Sequence, residues 1–202
     1  MSVDMIKYEP TKIIRPEKIL KIPVPPLIQT NWGPWDKGTY GIESILSDLL
    51  DRFNVKRDIA LEFGMEYGYS SVALSNFFTH VIGVDTFFGD SYSGVRSDFV
   101  QDTRGCLNPY PNITIVQSGY EQFIKNQSDS VSYDLIHIDI IHTYKDTLEC
   151  GLWATKHSPC VIFHDTLTYP EVNKAVEDTA EQSGLQYYNW CHDLGLGILV
   201  KE

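Results

Sequence analysis

The chain is short of positive charge, of long apolar runs and of paired cysteines, and each shortage removes a class of function. Lys and Arg number 16 against 27 Asp and Glu, for a formal net charge of −11. Phosphate backbones are bound by clustered cations, so nucleic acid is not an expected partner. No stretch approaches the roughly 20 apolar residues of a membrane span, so a membrane is not expected either. The first ten residues carry acids and lack the apolar segment of a signal peptide. The four cysteines, Cys106, Cys150, Cys160 and Cys191, lie far apart without a C-x-x-C spacing. That pattern argues for free thiols in a reducing, cytoplasmic setting and against a zinc site. The dinucleotide fingerprint G-x-G-x-x-G is missing too: the turn where it would stand reads Glu62-Phe63-Gly64-Met65-Glu66-Tyr67-Gly68. A nicotinamide-dependent oxidoreductase would need that turn and a Tyr/Lys hydride-transfer site, and neither is evident.

What is present is a 202-residue chain, 43% hydrophobic, long enough for one domain with a sizeable core. Residues 1–36 contain Pro10, Pro16, Pro23, Pro25, Pro26 and Pro34 and no sustained period. They read as an extended arm packed on the domain or on a partner subunit, which leaves a homo-oligomer open. Trp32 and Trp35 either dock the arm or cover a ligand. The domain proper is residues 37–202. A turn at 36–39 leads to a helix with the apolar stripe Ile42, Ile45, Leu46, Leu49, Leu50 and Phe53.

From there strands and helices alternate. Strands are expected at 59–63, 81–84, 112–116, 133–139 and 159–163, with helices after each. Ser70 and Ser71 are good caps for the first of those helices; the others fall near 97–107, 120–125, 144–154 and 171–182. The pair 186–189 and 195–200 is joined by too few residues for a crossover helix and is therefore antiparallel. The expected fold is a doubly wound, Rossmann-like α/β sheet of seven strands, six parallel and one antiparallel at the C-terminal end.

Ligands of such sheets bind at the C-terminal ends of the strands, and the polar residues gather there. Glu62, Gly64 and Gly68 follow strand one, with Ser70 opening the helix behind them. Asp85 closes strand two, where an acid can accept both hydroxyls of a ribose. The segment 86–94 beyond it borders the ligand, acts as a lid or is an ordinary loop. Ser118 ends strand three and suits the edge of an adenine ring. Asp139 and His142 follow strand four, and His164 and Asp165 follow strand five, so neighbouring strands bring them together. Two carboxylates and one or two imidazoles can ligate a divalent metal or position and deprotonate a substrate hydroxyl. His137, inside strand four, reads as a satisfied core histidine.

The pattern E-x-G-x-x-x-G with Asp85 behind it resembles motif I and the acidic motif of class I S-adenosylmethionine (SAM) methyltransferases. The blocks H-I-D-x-x-H-x-Y (137–144) and F-H-D-T (163–166) are similar to the family of small O-methyltransferases, macrocin-type sugar methyltransferases and cephalosporin hydroxylase-like proteins. The resemblance covers roughly residues 39–200. It implies SAM as cofactor, with Gly64 and Gly68 at its methionine part, Glu62 at its ammonium, and Ser70, Asp85, Ser118 and Asp139 around the rest. It further implies a small hydroxylated or sugar-type acceptor, with His142 and Asp139 at the reacting oxygen. Asp139, His164 and Asp165 would hold Mg²⁺ or another divalent cation. The chain departs from the family at Ile140, where a glycine is usual, and at His164, a softer ligand than the acid or amide usual there. A SAM-binding domain without transfer activity is the other reading.

Overall fold

The computed structural model describes residues 3–21, 42–89 and 98–201. The expected turn at 36–39, Trp32 and Trp35, and the part of the loop from 90 to 97 lie outside the described residues. Eight strands form one sheet: β1 (Ile6–Lys7), β2 (Ile59–Phe63), β3 (His80–Asp85), β4 (Ile113–Gln117), β5 (Leu135–Ile138), β6 (Cys160–His164), β7 (Gln186–Trp190) and β8 (Leu196–Val200). Among the described residues six α-helices accompany them: α1 (Ile42–Arg52), α2 (Tyr69–Ser75), α3 (Val100–Leu107), α4 (Tyr120–Lys125), α5 (Tyr144–His157) and α6 (Pro170–Ser183). The order across the sheet is β1-β7-β8-β6-β5-β2-β3-β4. Only β8 runs against its neighbours, β6 and β7. The expected six parallel strands and one antiparallel strand are there. The eighth is β1, which pairs in parallel with the outer edge of β7.

The two-residue period of the strands divides the core. Ala60, Val81, Leu135, Cys160, Ile162 and Ile198 face α1 and α2. Leu61, Phe63, Val84, Ile136, Val161, Phe163 and Leu199 face the other way, toward Phe123 of α4, Cys150 and Ala154 of α5, and Val172 and Val176 of α6. Strands buried on both faces must be apolar throughout, so the fully buried Glu62 and nearly buried His137 in the central pair β2–β5 stand out. Among the described residues no helix is long and apolar enough to cross a membrane.

The N-terminal segment crosses the sheet as a strap. After β1, the Tyr8 amide donates to Asn189 O at the β7 edge (2.7 Å), and Ile14 N donates to Ser44 O of α1 (2.8 Å). Lys18 O then accepts from Tyr110 Oη near β4 (2.9 Å). Proline explains why the strap is extended, but the sequence pattern gave no sign that two of its residues would join the sheet. Its anchor is Asp48 on α1, only 7% exposed. That carboxylate accepts from the Tyr8 hydroxyl, from the Thr11 hydroxyl and from Thr11 N (2.9 Å), and pairs with Arg52 at 2.9 Å. Asp48→Ala should cost roughly 1.5–3 kcal/mol, the range for hydrogen bonds to a charged group. Denaturant unfolding checks the loss, and amide exchange should show that Tyr8 N–H loses protection before the central strands do.

Candidate functional site

The cavity lies over the C-terminal ends of the parallel strands and has a volume of about 410 Å³. Gly64, Ser70, Asp85, Ser118, Asp139, His142, His164 and Asp165 all line it, so the structure brings most of the sequence-predicted residues to one place. Gly64 lies at φ +83, and a Cβ there would stand 1.6 Å from Asp139 O. The β2 turn and the segment after β5 can therefore touch only because residue 64 has no side chain. Asp85 Oδ2 accepts from Glu66 N (2.9 Å) and Oδ1 from Phe87 N (2.6 Å). Burial raises its carboxyl above the usual carboxylate range, as does the charge of nearby acids, against these two hydrogen bonds. The Ser118 hydroxyl donates to Gly119 O (2.9 Å).

Three expectations are corrected. Ser70 and Ser71 do not cap α2: its N-cap is Gly68 in the left-handed region, without a side-chain cap. Both hydroxyls donate instead to Glu62, which binds them more strongly because it is a charged acceptor. Glu62 in turn does not face the cavity. It has no exposed surface, and it also accepts from His137 Nδ1 at 2.8 Å. Gly68 does not line the cavity either; a Cβ on it would meet Leu107 Cδ1 at 2.7 Å, so it is needed for close packing of α3. His137 is buried, as expected, but only its Nδ1 has a partner; its Nε2 has none, and the ring lines the cavity.

The acids and imidazoles after β5 and β6 form one cluster. His142 Nε2 lies 2.7 Å from Asp165 Oδ2 and 3.7 Å from Asp139 Oδ1. His164 Nδ1 lies 3.5 Å from Asp139 Oδ2 and 3.5 Å from Asp165 Oδ2. Asp165 sits at φ +67, a conformation that aspartate tolerates better than most residues and that turns its carboxylate back toward His142. The His142 ring stacks on Tyr169 with centroids 3.9 Å apart and planes 9° apart. Sequence reasoning missed Tyr169, since a tyrosine four residues beyond Asp165 carries no local signal. Burial opposes the charged form of His142, but hydrogen bonds and charge from Asp139 and Asp165 outweigh it and lift the ring to about 9. Burial opposes the charged form of His164 too, but the same two acids lift it to about 9. Burial likewise opposes ionisation of Asp165, but the two imidazoles hold its carboxyl far below the usual range.

Ligand atoms of Asp139, His164 and Asp165 lie within 4.8 Å of one another, close enough to converge on one ion. His164 Nδ1 and Asp165 Oδ1 are buried without a hydrogen-bond partner, which fits a group that would draw on them. One nitrogen and two carboxylates suit Mn²⁺ or a similar transition ion better than Mg²⁺, which prefers all-oxygen sites.

No protein-family model and no curated protein sequence matches the chain. Solved structures do. A candidate caffeoyl-CoA O-methyltransferase from Staphylococcus aureus superposes with a TM-score of 0.59 at 19% identity, over 78% of this chain and 81% of that one. A candidate O-methyltransferase from Klebsiella pneumoniae gives 0.57 at 14% identity, over 89% and 91%. The fold is that of the class I methyltransferases. A third example is a candidate methyltransferase from Streptococcus mutans in complex with SAH, at TM-score 0.55 and 16% identity, over 76% and 94%. Within the methyltransferase fold the cavity described above lies where open α/β sheets take their ligands, at the carboxyl ends of the strands.

The cluster makes stability depend on pH. Its two histidines titrate higher in the folded protein than the ~6.5 of a free imidazole. Their stabilisation is complete below that value and is lost as pH rises through about 9. The melting temperature of the ligand-free protein should therefore fall by a few degrees across that window. His142→Gln should flatten the fall, as thermal melts at a series of pH values would show.

Proposed function

We propose that the protein is a SAM-dependent methyltransferase acting on oxygen of a small hydroxylated or sugar-type molecule. The observation that carries the reading is the cavity itself, with Asp85 and Ser118 at the β3–β4 end, the Asp139–His142–His164–Asp165 cluster at the β5–β6 end and the Gly64 turn between them. Glu66 and Asp85 suit a ligand with a cationic centre better than a pyrophosphate. The solved relatives add weight, since the Streptococcus mutans structure holds SAH and an Aeropyrum pernix fibrillarin of the same fold (TM-score 0.52, 12% identity, 72% and 68% covered) holds natively bound SAM.

In this reading Asp85 receives the ribose hydroxyls and Ser118 borders the adenine. Methyl transfer forms a bond between the acceptor oxygen and the methyl carbon and breaks the carbon–sulfonium bond, leaving SAH and one proton. In-line placement of the oxygen matters more than strong acid–base catalysis. His142, held at about 9, already carries its proton at neutral pH and orients the acceptor rather than deprotonating it. Asp139 is the more exposed acid of the cluster, at 31% of its side chain, and takes the hydroxyl proton. A divalent cation on Asp139, His164 and Asp165 would supply a Lewis acid that makes the acceptor hydroxyl more acidic.

Calorimetry should show binding of SAM and SAH and none of NAD. Asp85→Ala should weaken SAM by roughly 1.5–3 kcal/mol while leaving the fold intact; binding of NAD alone sinks the reading. If a cation belongs to the site, Mn²⁺ should raise the wild-type melting temperature and EDTA reverse it, and Asp139→Asn should respond to neither. A wild type indifferent to Mn²⁺, Mg²⁺ and EDTA removes the cation and leaves transfer to the acids and histidines.

A further inference from the structure

The two ends of the cavity offer a ligand different walls. At the β5–β6 end Ile141 precedes His142, and Leu194 sits beside the turn after β6, where its carbonyl accepts from Leu167 N (3.0 Å). Leu194 and Ile42, at the start of α1, line the cavity and also border a small recess next to His164. None of these three side chains carries a donor or an acceptor. Ile141 is nevertheless 38% exposed and the neighbouring Leu167 51%, so apolar surface stands open beside the Asp139–His142–His164–Asp165 cluster. Large apolar side chains left open at a cavity mark where an apolar part of a ligand lies.

Charge narrows the choice further. Five acids line the cavity, Glu66, Asp85, Glu121, Asp139 and Asp165, and among the described residues no lysine or arginine does. The basic side chains that line it are imidazoles alone, and two of them, His142 and His164, already lie against Asp139 and Asp165. A phosphate or carboxylate is normally received by guanidinium or ammonium groups, and this cavity offers neither.

We propose that the acceptor carries its hydroxyl on an apolar, uncharged body, and that Ile141, Leu194 and Ile42 select it against sugars and against anionic molecules. This rests on the SAM reading above, which puts the nucleoside at the β3–β4 end and leaves the β5–β6 end to the acceptor. A sugar has a hydroxyl on nearly every carbon. Those that do not reach the cluster would be buried against isoleucine and leucine without partners, which is costly. An anionic acceptor would bring its charge among like charges with no cation to meet it. A hydroxyl on an apolar ring or chain meets neither cost: its oxygen reaches the cluster and its body covers Ile141 and Leu194.

The test loads the protein with SAH and titrates three probes by ligand-observed NMR: 4-propylphenol, its carboxylate counterpart 3-(4-hydroxyphenyl)propionate, and methyl β-glucoside. 4-Propylphenol should bind roughly tenfold or more tightly than either of the others. Ile141→Lys should close the gap to the carboxylate, weakening the phenol and tightening the anion. Ile13→Lys makes the same change of charge at a residue 64% exposed on the N-terminal strap, away from the cavity lining, and should leave the ratio as it is. Should Ile141→Lys fail to fold, the three wild-type affinities decide alone. A wild type that binds the carboxylate or the glucoside as tightly as the phenol, or binds none of the three, overturns the proposal. So does a folded Ile141→Lys variant that keeps the wild-type ratio, or an Ile13→Lys variant that shifts it equally. SAH binding is measured first, and its absence overturns the SAM reading as well, so the two failures are told apart.

Discussion

A carboxylate with no contact with water lies in the middle of the sheet, and the site is built around it. Leaving Glu62 unpaired there would cost about 3–5 kcal/mol, a large share of the roughly 5–15 kcal/mol by which a domain is stable. Its three donors come from different elements, Ser70 and Ser71 from α2 and His137 from β5. Satisfying Glu62 therefore fixes the start of α2 against β2 and β5 at once. The Gly64 turn is held between them, where the absent Cβ lets Asp139 O come close. Hydrogen bonds to Glu62, rather than a side-chain cap, hold this helix terminus.

The second concentration of charge differs in kind. Asp139, His142, His164 and Asp165 are partly open to the cavity, and their charges balance when both imidazoles are protonated. Acids hold protons on the histidines, and the histidines hold the proton off Asp165. Such a set can exchange its protons for a cation with little change in net charge. The buried Glu62–His137 pair has no such freedom. The site thus joins a fixed polar floor to an adjustable polar wall.

Much of this was legible in the sequence, and the reasons for the rest are physical. Apolar runs ending in Gly64, Asp85, Ser118, Asp139 and His164 placed the strand tips, because a buried parallel strand must be apolar until it reaches the ligand edge. Element bounds moved by up to three residues, as for α5, which runs on to His157. Ser70 and Ser71 had the composition of caps, but composition does not reveal that the helix begins at Gly68 or that Glu62, eight and nine residues upstream, takes both hydroxyl hydrogens. Glu62 was assigned to the ligand because sequence spacing gives a strand position and not which neighbour takes the side chain. Strand β1 was illegible: two residues have no period, and their partner in the sheet lies some 180 residues away.

That long-range pairing bears on how the chain is made. The strap meets Ser44 and Asp48 early, but Tyr110 and Asn189 only after they have been synthesised. At about 5–20 residues per second, ribosomal synthesis leaves its two ends without their sheet partners for several seconds or longer. During that time β1, the two exposed residues Ile6 and Lys7, has no strand to pair with, and it is the last to find its place. Closing so large a loop is slow and entropically costly. The same strand that finishes the sheet is thus the one a nascent chain exposes longest to chaperones and to other unfinished copies.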